Sequence, residues 1–353
     1  MRRQDVVAFL DELFPPSLAE AWDRSGLQVG PLDAPCHRVA VALDLGLDLL
    51  PALEGVDLVV THHPLLFRPP SQLLPETPLG RKLAALVRTG TALYAVHTPY
   101  DVAQGGLGEV LAQLLGLRDA RPLAPRGRLV KLVVFVPEGH EDRVADALFA
   151  SGAGRIGNYG RCSFRARGTG TFLPGEGARP FLGEVGREER VGEVRLETIV
   201  PAERLNTVVA SMKAAHPYEE VAYDLYPLEN APALHGLGRV GDLPRPTPAG
   251  DVVQAFGRAL GGVEPKAVYG DPSREVGRVA VCGGSGGDLW THARASGAEL
   301  FLTGELGYHE GLAAAEAGLT AVPFGHGETE RPFVPHVARL LRGKFPGLGV
   351  EER

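Results

Sequence analysis

The sequence predicts an α/β protein in which two similar α/β halves form one core with mostly parallel sheets, interrupted by an inserted α+β domain. Three observations predict it. A motif of three apolar runs occurs twice in one order: RVAVALDL (38–45), LVVTHHP (58–64) and LYAVHTPYD (93–101), then RVAVCGGS (278–285), LFLTGEL (300–306) and VPFGHGETE (322–330). The runs are apolar throughout, as strands are when helices cover both faces of a sheet. Between the copies, residues 128–230 have a different texture and read strand, helix, two strands, helix, strand, the βαββαβ order of ferredoxin-like domains.

The elements follow in order. Residues 3–13 read as an amphipathic helix, and Pro15 and Pro16 end it. A strand at 38–44 leads to a short helix near 46–54, then to a strand at 57–61 and a proline-rich loop around 68–78. A helix at 79–89, a strand at 92–96 and a helix near 106–115 complete the first copy. The second copy repeats this with a strand at 278–282, a helix near 287–296, a strand at 299–302, a helix at 308–316, a strand at 320–323 and a final helix near 331–342. The insert holds strand LVKLVVFVP, a helix at 140–150, strands GRCSFRARGTGTFLP and VGEVRLETIVP, a helix at 202–214 and strand EEVAYDLYPL. The expected domains are therefore a discontinuous core, 1–127 with 231–353, and an insert, 128–230.

At 353 residues the chain can bury a large core and more than one domain. Its 36 Lys and Arg against 43 Asp and Glu give a net charge of −7, which argues against a broad phosphate-tracking surface for nucleic acid. Three scattered cysteines, Cys36, Cys162 and Cys282, form no disulfide or CxxC pattern, so a reducing, cytoplasmic setting is expected. Asp5, Asp11 and Glu12 break the N-terminal apolar stretch, which reads as an amphipathic helix and not a signal peptide. No run approaches the ~20 apolar residues of a membrane span.

The chemistry sits at strand ends, where ligands bind in parallel sheets. His62 and His63 end an apolar strand, and burying two imidazoles there is unfavourable unless they find partners. Each third run ends in His-x-x-x-acid, His97/Asp101 and then His326/Glu330. Together His62, His63, Asp101, His326 and Glu330 form a candidate metal set. A carboxylate can bridge two divalent ions ~3.5–4 Å apart, the spacing of two-metal hydrolytic sites. Mixed His and carboxylate ligation suits Zn, Fe, Mn, Co or Ni without choosing among them. His97 reads either as a ligand or as a group that orients a ligand or touches substrate. His37, His140, His235, His292 and His336 read as ordinary surface or hydrogen-bonded histidines.

Six ordered motifs, WDRSGLQVG (22–30), THHPLLF (61–67), HTPYD (97–101), CGGSGGDL (282–289), TGELGYHE (303–310) and GHGETE (325–330), resemble the NGG-interacting-factor-three family, the dinuclear-metal-centre proteins named as GTP cyclohydrolase I type 2 homologues. The insert, with GAGRIGNYGRCSF, GTGTFLP and HPYEEVAYDLYPL, resembles the PII/divalent-cation-tolerance-like module of the longer bacterial members. The resemblance implies two divalent metal ions per chain, held by His62, His63, Asp101, His326 and Glu330, and a toroidal homohexamer with its metals facing an inner cavity. Two departures change pocket shape and charge but not ligands: Pro99-Tyr100 stands for the usual Asn-Leu, and Gly327-Glu328 for Tyr-Ala.

Further candidates lie near these motifs. Glu305 occupies the strand-end position equivalent to His63 and reads as a general base toward water, or as a charge at the start of the next helix. His309 is a candidate substrate contact. The Gly283–Gly287 turn reads as a tight turn or as an amide cradle for phosphate, and it lacks both P-loop and dinucleotide spacing. Cys162 is expected in a strand and buried; His216, Glu219 and Glu220 read as a polar helix-to-strand turn, or as an effector or extra metal site; and Trp22 with Asp23 reads as an anchor of the N-terminal loop, or as part of the pocket. The leading functional expectation is a metal-dependent hydrolase acting on a nucleotide-like or phosphoester substrate. By resemblance its named reaction is GTP ring opening. The alternatives are a non-enzymatic metal-handling or regulatory hexamer with a ligand-sensing insert, and a scaffold whose metals stabilise a ring. No membrane partner is expected.

Overall fold

The computed structural model describes residues 1–68, 70–126, 129–157, 159–229 and 235–353, with the backbone alone at residue 203. The chain divides into two compact units, Met1–Arg126 with Leu234–Arg353, and Gly127–Ala233. The expected borders at 127/128 and 230/231 lie outside the described residues.

The first unit opens with α1 (Arg3–Leu13), β1 (Gly26–Val29), β2 (Arg38–Ala42) and β3 (Leu58–Thr61). It continues with α2 (Pro78–Thr89), β4 (Ala92–Ala95), α3 (Thr98–Val102), α4 (Leu107–Leu114) and β5 (Arg118–Arg126). The second unit holds β6 (Leu129–Pro137), α5 (Glu141–Ala150), β7 (Ser163–Phe172), β8 (Glu189–Pro201), α6 (Leu205–Ala215) and β9 (Tyr223–Pro227). The first unit resumes with β10 (His235–Pro248), α7 (Ala249–Ala259), β11 (Glu275–Cys282), α8 (Trp290–Ala295) and β12 (Leu300–Thr303). It ends with α9 (Tyr308–Glu316), β13 (Thr320–Pro323), α10 (His326–Glu330), α11 (Phe333–Lys344) and β14 (Gly349–Glu352).

The first unit contains two five-stranded sheets, β1-β4-β3-β2-β14 and β13-β12-β11-β10-β5. Strands β2, β3 and β4 are parallel in sequence order, and so are β11, β12 and β13. Their alternate residues face opposite layers. Val39, Val41, Leu58 and Val60 share one core with Val279, Val281, Leu300 and Leu302 of the other sheet. On the opposite face of the first sheet, Ala40, Val59 and Leu93 pack with Ala85 and Leu86 of α2. On that of the second, Ala280, Phe301 and Ala321 pack with Ala293 and Ala314. Burial on both faces explains why these strands carry no polar alternation. Each fully buried Val or Leu contributes roughly 1.5–3 kcal/mol.

Local signals fix the helices. In α2, the Thr77 hydroxyl accepts from the Gly80 N–H at 3.0 Å, Pro78 takes the first turn, and Gly90 at φ 69° closes the end. The expected helix at 46–54 does not form, and only the single 3-10 turn Leu50–Leu53 does. Pro51 lies inside that segment and Gly46 and Gly55 flank it, so a longer helix loses an amide donor and gains backbone entropy cost. The expected helix at 287–296 splits into a 3-10 turn, Gly287–Leu289, and α8.

The second sheet is evenly mixed and not mostly parallel, because β10 pairs antiparallel with both β11 and β5. Strand β5 carries Pro122 and Pro125, which an edge strand tolerates because its outer N–H groups need no partner. At the other end of the chain, β14 returns to pair parallel with β2.

The second unit follows the order βαββαβ. Its four strands form one antiparallel sheet, β7-β8-β6-β9, whose inner residues Leu132, Val134 and Leu196 pack with Val144, Leu148, Val208 and Met212 of its two helices. Among the described residues, no helix is long and apolar enough to cross a membrane.

Candidate metal centre

The parallel strands β2, β3 and β4 end together, and the chain beyond them carries the histidines. The His62 amide donates to the Ala42 carbonyl at 3.2 Å and the His63 amide to Leu43 at 3.0 Å, so both residues extend β3 past its last rung. His62 is fully buried, and Phe333 and Tyr100 pack against its ring. Helix α10 supplies His326 and Glu330 one turn apart, which places both on one face. Helix α3 supplies Asp101.

These side chains converge on Glu330, itself only 4% exposed. Its Oε1 lies 3.1 Å from His326 Nε2 and 3.5 Å from His62 Nε2, and its Oε2 lies 3.0 Å from His63 Nε2. Asp101 Oδ1 lies 3.7 Å from His62 Nε2. Yet His62 Nδ1 and Nε2, Asp101 Oδ1 and Glu330 Oε2 are all buried without a hydrogen-bond partner. An unsatisfied buried donor or acceptor costs roughly 1–3 kcal/mol, so four in one place need an explanation. The donor atoms of His62, His63 and His97 lie within 4.8 Å of one another, and so do those of His63, His326 and Glu330. Imidazole nitrogens and carboxylate oxygens gathered this closely, four of these atoms buried and unpaired, fit a divalent metal ion. His63 belongs to both groups. Asp101 belongs to neither and reaches the cluster through His62.

The charges are mutually tuned. Burial would raise the Glu330 carboxyl, but His326, His62 and His63 hold it far below the usual carboxylate range. Burial pulls the His62 imidazole down, toward the neutral form a metal ligand needs. Burial opposes charge on His63 as well, but Asp44 and Glu330 outweigh it and push it up to about 10. Glu330 raises His326. Asp101 keeps a little solvent contact as a residue, yet its Oδ1 is sealed, and burial with the nearby Glu330 charge raises it well above the usual range.

A second set of carboxylates orients the rings. Asp44 Oδ1 lies 3.1 Å from His63 Nδ1, and Asp23 Oδ1 lies 2.5 Å from His97 Nδ1. Asp23 is held in turn by the Thr98 N–H at 3.2 Å and by the Thr98 hydroxyl. Such partners fix the imidazole tautomer, leaving Nε2 to face the cluster. Neither role was visible in sequence. Asp44 directly follows the β2 run, where strand-end placement could have flagged it. Asp23 lies some seventy positions from its partner, and only the fold joins them.

His97 and His326 are not equivalent, contrary to the sequence expectation. The paired strands match Ala95 with Pro323 as last rungs, so His97 corresponds to Gly325 and His326 to Thr98. Both residues have a positive φ, 44° at His97 and 119° at Gly325, which is rare for a residue with a Cβ and typical of strained functional positions.

Glu305 and His63 do fall two residues beyond their strands, Thr303 and Thr61. Glu305 is exposed, with Oε1 3.2 Å from His326 Nδ1 and Oε2 accepting from the Ser285 hydroxyl at 2.8 Å. It does not cap α9; Glu310 does, accepting the Gly307 N–H at 2.8 Å. Two amides of the Gly283–Gly287 turn are already committed within the protein. The Gly284 N–H is spent on the Thr329 hydroxyl and that of Gly286 on the Gly284 carbonyl. Gly284, at φ 61°, is needed because a Cβ there would lie 2.2 Å from Glu330 Oε1. His309 is exposed beside Tyr308 and is not brought to the cluster. Of the expected anchor pair the buried Asp23 does the holding, while Trp22, 56% exposed, takes the alternative place in the pocket, where with Phe67 it rims His97. Cys162 is half-buried just before β7, not within it. His216, Glu219 and Glu220 do lie between α6 and β9.

Comparison with known proteins gives a consistent picture. A model of the family described as Duf34/NIF3 (NGG1p interacting factor 3) matches residues 1–352. A protein of Halalkalibacterium halodurans named "GTP cyclohydrolase 1 type 2 homolog" is 41% identical over 92% of this chain and 88% of its own. A protein of the same name from Mycobacterium bovis is 38% identical over 98% of this chain and 92% of its own. A crystal structure of a Bacillus cereus protein related to NIF3 is 36% identical and superposes with a TM-score of 0.74, covering 99% of this chain and 96% of that one.

Proposed function

The chain belongs to the Duf34/NIF3 family, and on that premise we propose that it is a dinuclear metal-binding protein acting as a metal-dependent hydrolase on a nucleotide-like or phosphoester substrate. The observation that carries the reading is the set of unpaired, buried donors His62, Asp101 and Glu330 meeting His63 and His326. Glu330, whose Oε1 faces His326 and His62 and whose Oε2 faces His63, presents both of its oxygens to these donors and would be shared if two ions are held, while His63 would offer a single nitrogen, Nε2. Two divalent ions, when bound, would supply Lewis acidity toward water and toward the bond under attack.

The chain's own groups divide the remaining work. Asp23 and Asp44 hold His97 and His63 in the tautomer that presents Nε2. Glu305 fixes His326 through Nδ1 and, being exposed at the rim, is placed to accept a proton from an attacking water. His97 is rimmed by Trp22 and Phe67, which offer an incoming ligand an aromatic surface. The relatives' name supports GTP as one substrate to test. We further propose that the two three-strand arrays of the first unit are copies of one plan, that the second unit is a ferredoxin-like, PII-related insert, and that the protein assembles as a homohexamer.

A second reading, a metal-handling or regulatory protein with a ligand-sensing insert, is favoured by one observation: the second unit has a hydrophobic core and a cavity of its own. The deciding experiment is metal stoichiometry on natively purified protein with hydrolysis assays on GTP and a phosphodiester panel. About two metals per chain with metal-dependent turnover supports the hydrolase. The same metal without turnover supports the second reading, and absence of metal overturns both.

A further inference from the structure

The second unit holds a cavity of about 660 Å³, within the ~300–1,000 Å³ range of small-molecule sites. It lies on the face of the sheet opposite the two helices. Paired residues Phe135, Arg195 and Ala166 share that face, as do Pro137, Glu193 and Gly168 one step along. The segment from Leu173 to the start of β8 passes over it. Phe181 in that segment stacks edge-on against His140 at 5.4 Å and lies 6.2 Å from Tyr218, while the Arg179 N–H donates to Glu219 at 2.6 Å. Phe172 lies 6.1 Å from the same tyrosine ring.

Beneath these rings lies one acid. Glu193 is only 9% exposed, and its Oε1 accepts from the Tyr218 hydroxyl at 3.1 Å. Its Oε2 occupies the space that a side chain at position 170 would fill: a Cβ on Gly170 would lie 2.1 Å from it. The glycine therefore makes room for a carboxylate on the cavity floor. The cavity's two arginines do not neutralise it. Arg195 pairs with Glu197 at 2.8 Å and Arg167 with Glu138 at 3.8 Å. Glu197 also meets Lys131 at 2.9 Å, and with Glu193, Glu219 and Glu220 set against Arg167 and Arg195 the lining carries a net charge of −1.

Aromatic faces around a sheltered carboxylate are the chemistry that selects organic ammonium ions, through cation–π attraction and charge. We propose that this cavity binds a small organic ammonium ligand carrying a ring or alkyl body, with Glu193 opposite the cation and Phe172, Phe181 and Tyr218 enclosing it. The proposal is independent of the metal centre.

The test is calorimetric titration of the full-length protein with benzyltrimethylammonium, with neutral benzyl alcohol and anionic benzoate as controls. Wild-type protein should bind the ammonium saturably and at least about tenfold more tightly than the alcohol, and should reject benzoate. Glu193→Gln keeps the shape and should erase that preference. Gly168→Leu should abolish binding of both, since position 168 lines the cavity and a Cβ there meets nothing within 4 Å, so the fold tolerates it. If Glu193→Gln fails to fold, Tyr218→Phe, which keeps the ring and releases the carboxylate from its hydrogen bond, should tighten ammonium binding and leave alcohol binding unchanged; no change in ammonium affinity overturns the proposal. The proposal is overturned by no saturable binding, by equal affinity for ammonium and alcohol, or by a folded Gly168→Leu protein that binds as wild type does.

Discussion

Replacing Asp23 by Asn tests whether the carboxylates behind the histidines hold the centre in order. The Asp23 side chain is sealed from solvent, and bonds from His97 and Thr98 outweigh the burial that would raise it, taking it from 3.8 to about 2. At about 1.4 kcal/mol per tenfold change in acidity, those bonds contribute roughly 2 kcal/mol to stability. Because the folded value is depressed, the contribution is complete above the unfolded value near 3.9 and is lost as pH falls through about 2. Asn has the same shape but cannot carry the charge. Metal-free Asp23→Asn protein should therefore melt roughly 5 °C below wild type at pH 7, and the gap should close as pH falls below about 4. Loss of the ring's orienting partner should also weaken metal binding by about 10–100-fold. Thermal unfolding at pH 7 and pH 3, with zinc or manganese titration at pH 7, measures both. Equal melting at pH 7 together with wild-type metal affinity would refute the reasoning, because Asp23 would then be holding neither the fold nor His97.

Further outcomes follow from the same geometry. His63→Ala and Glu330→Ala should each lower bound metal by about tenfold or more at a fixed metal concentration with circular dichroism unchanged, since each removes a donor shared by several contacts; elemental analysis showing full metal in both removes the ligand assignment. Metal binding should release protons: His63 stays charged up to about 10 in the metal-free protein, so affinity should climb by about tenfold per pH unit for each proton displaced between neutral pH and that value. Calorimetry in two buffers of different ionisation heat reads the proton count, and a count of zero contradicts the charged His63. In the metal-free protein the same raised group stabilises fully below about pH 6.5, and that contribution fades as pH rises through about 10. Deleting 128–230 should leave a soluble core that still binds metal, because the packed clusters of the first unit contain no residue of the second; an insoluble product would show that the units do not fold separately.

By itself the sequence determined the parallel strand trios, most of the helices and the residue types at the centre. Unbroken apolar runs such as 58–61 are what two-sided burial demands, and histidines or acids at their ends are costly unless something binds them. The family motifs were legible for the same reason, being local strings. What the sequence left undetermined depends on pairing across distance. Strand β5, rich in arginine and proline, becomes a strand only because β10 offers it an edge, and β14 only because β2 is free beside it. The one-residue offset between His97 and His326 cannot be read from a repeat whose spacing looks identical, because register is set by strand pairing. Asp23 and Asp44 became partners of His97 and His63, and Gly284 the gap that admits Glu330, through contacts that no neighbouring residue announces. The chain's chemistry is written in its residue types, but which acid meets which imidazole is decided by packing, where angstrom-scale distances join residues far apart in sequence.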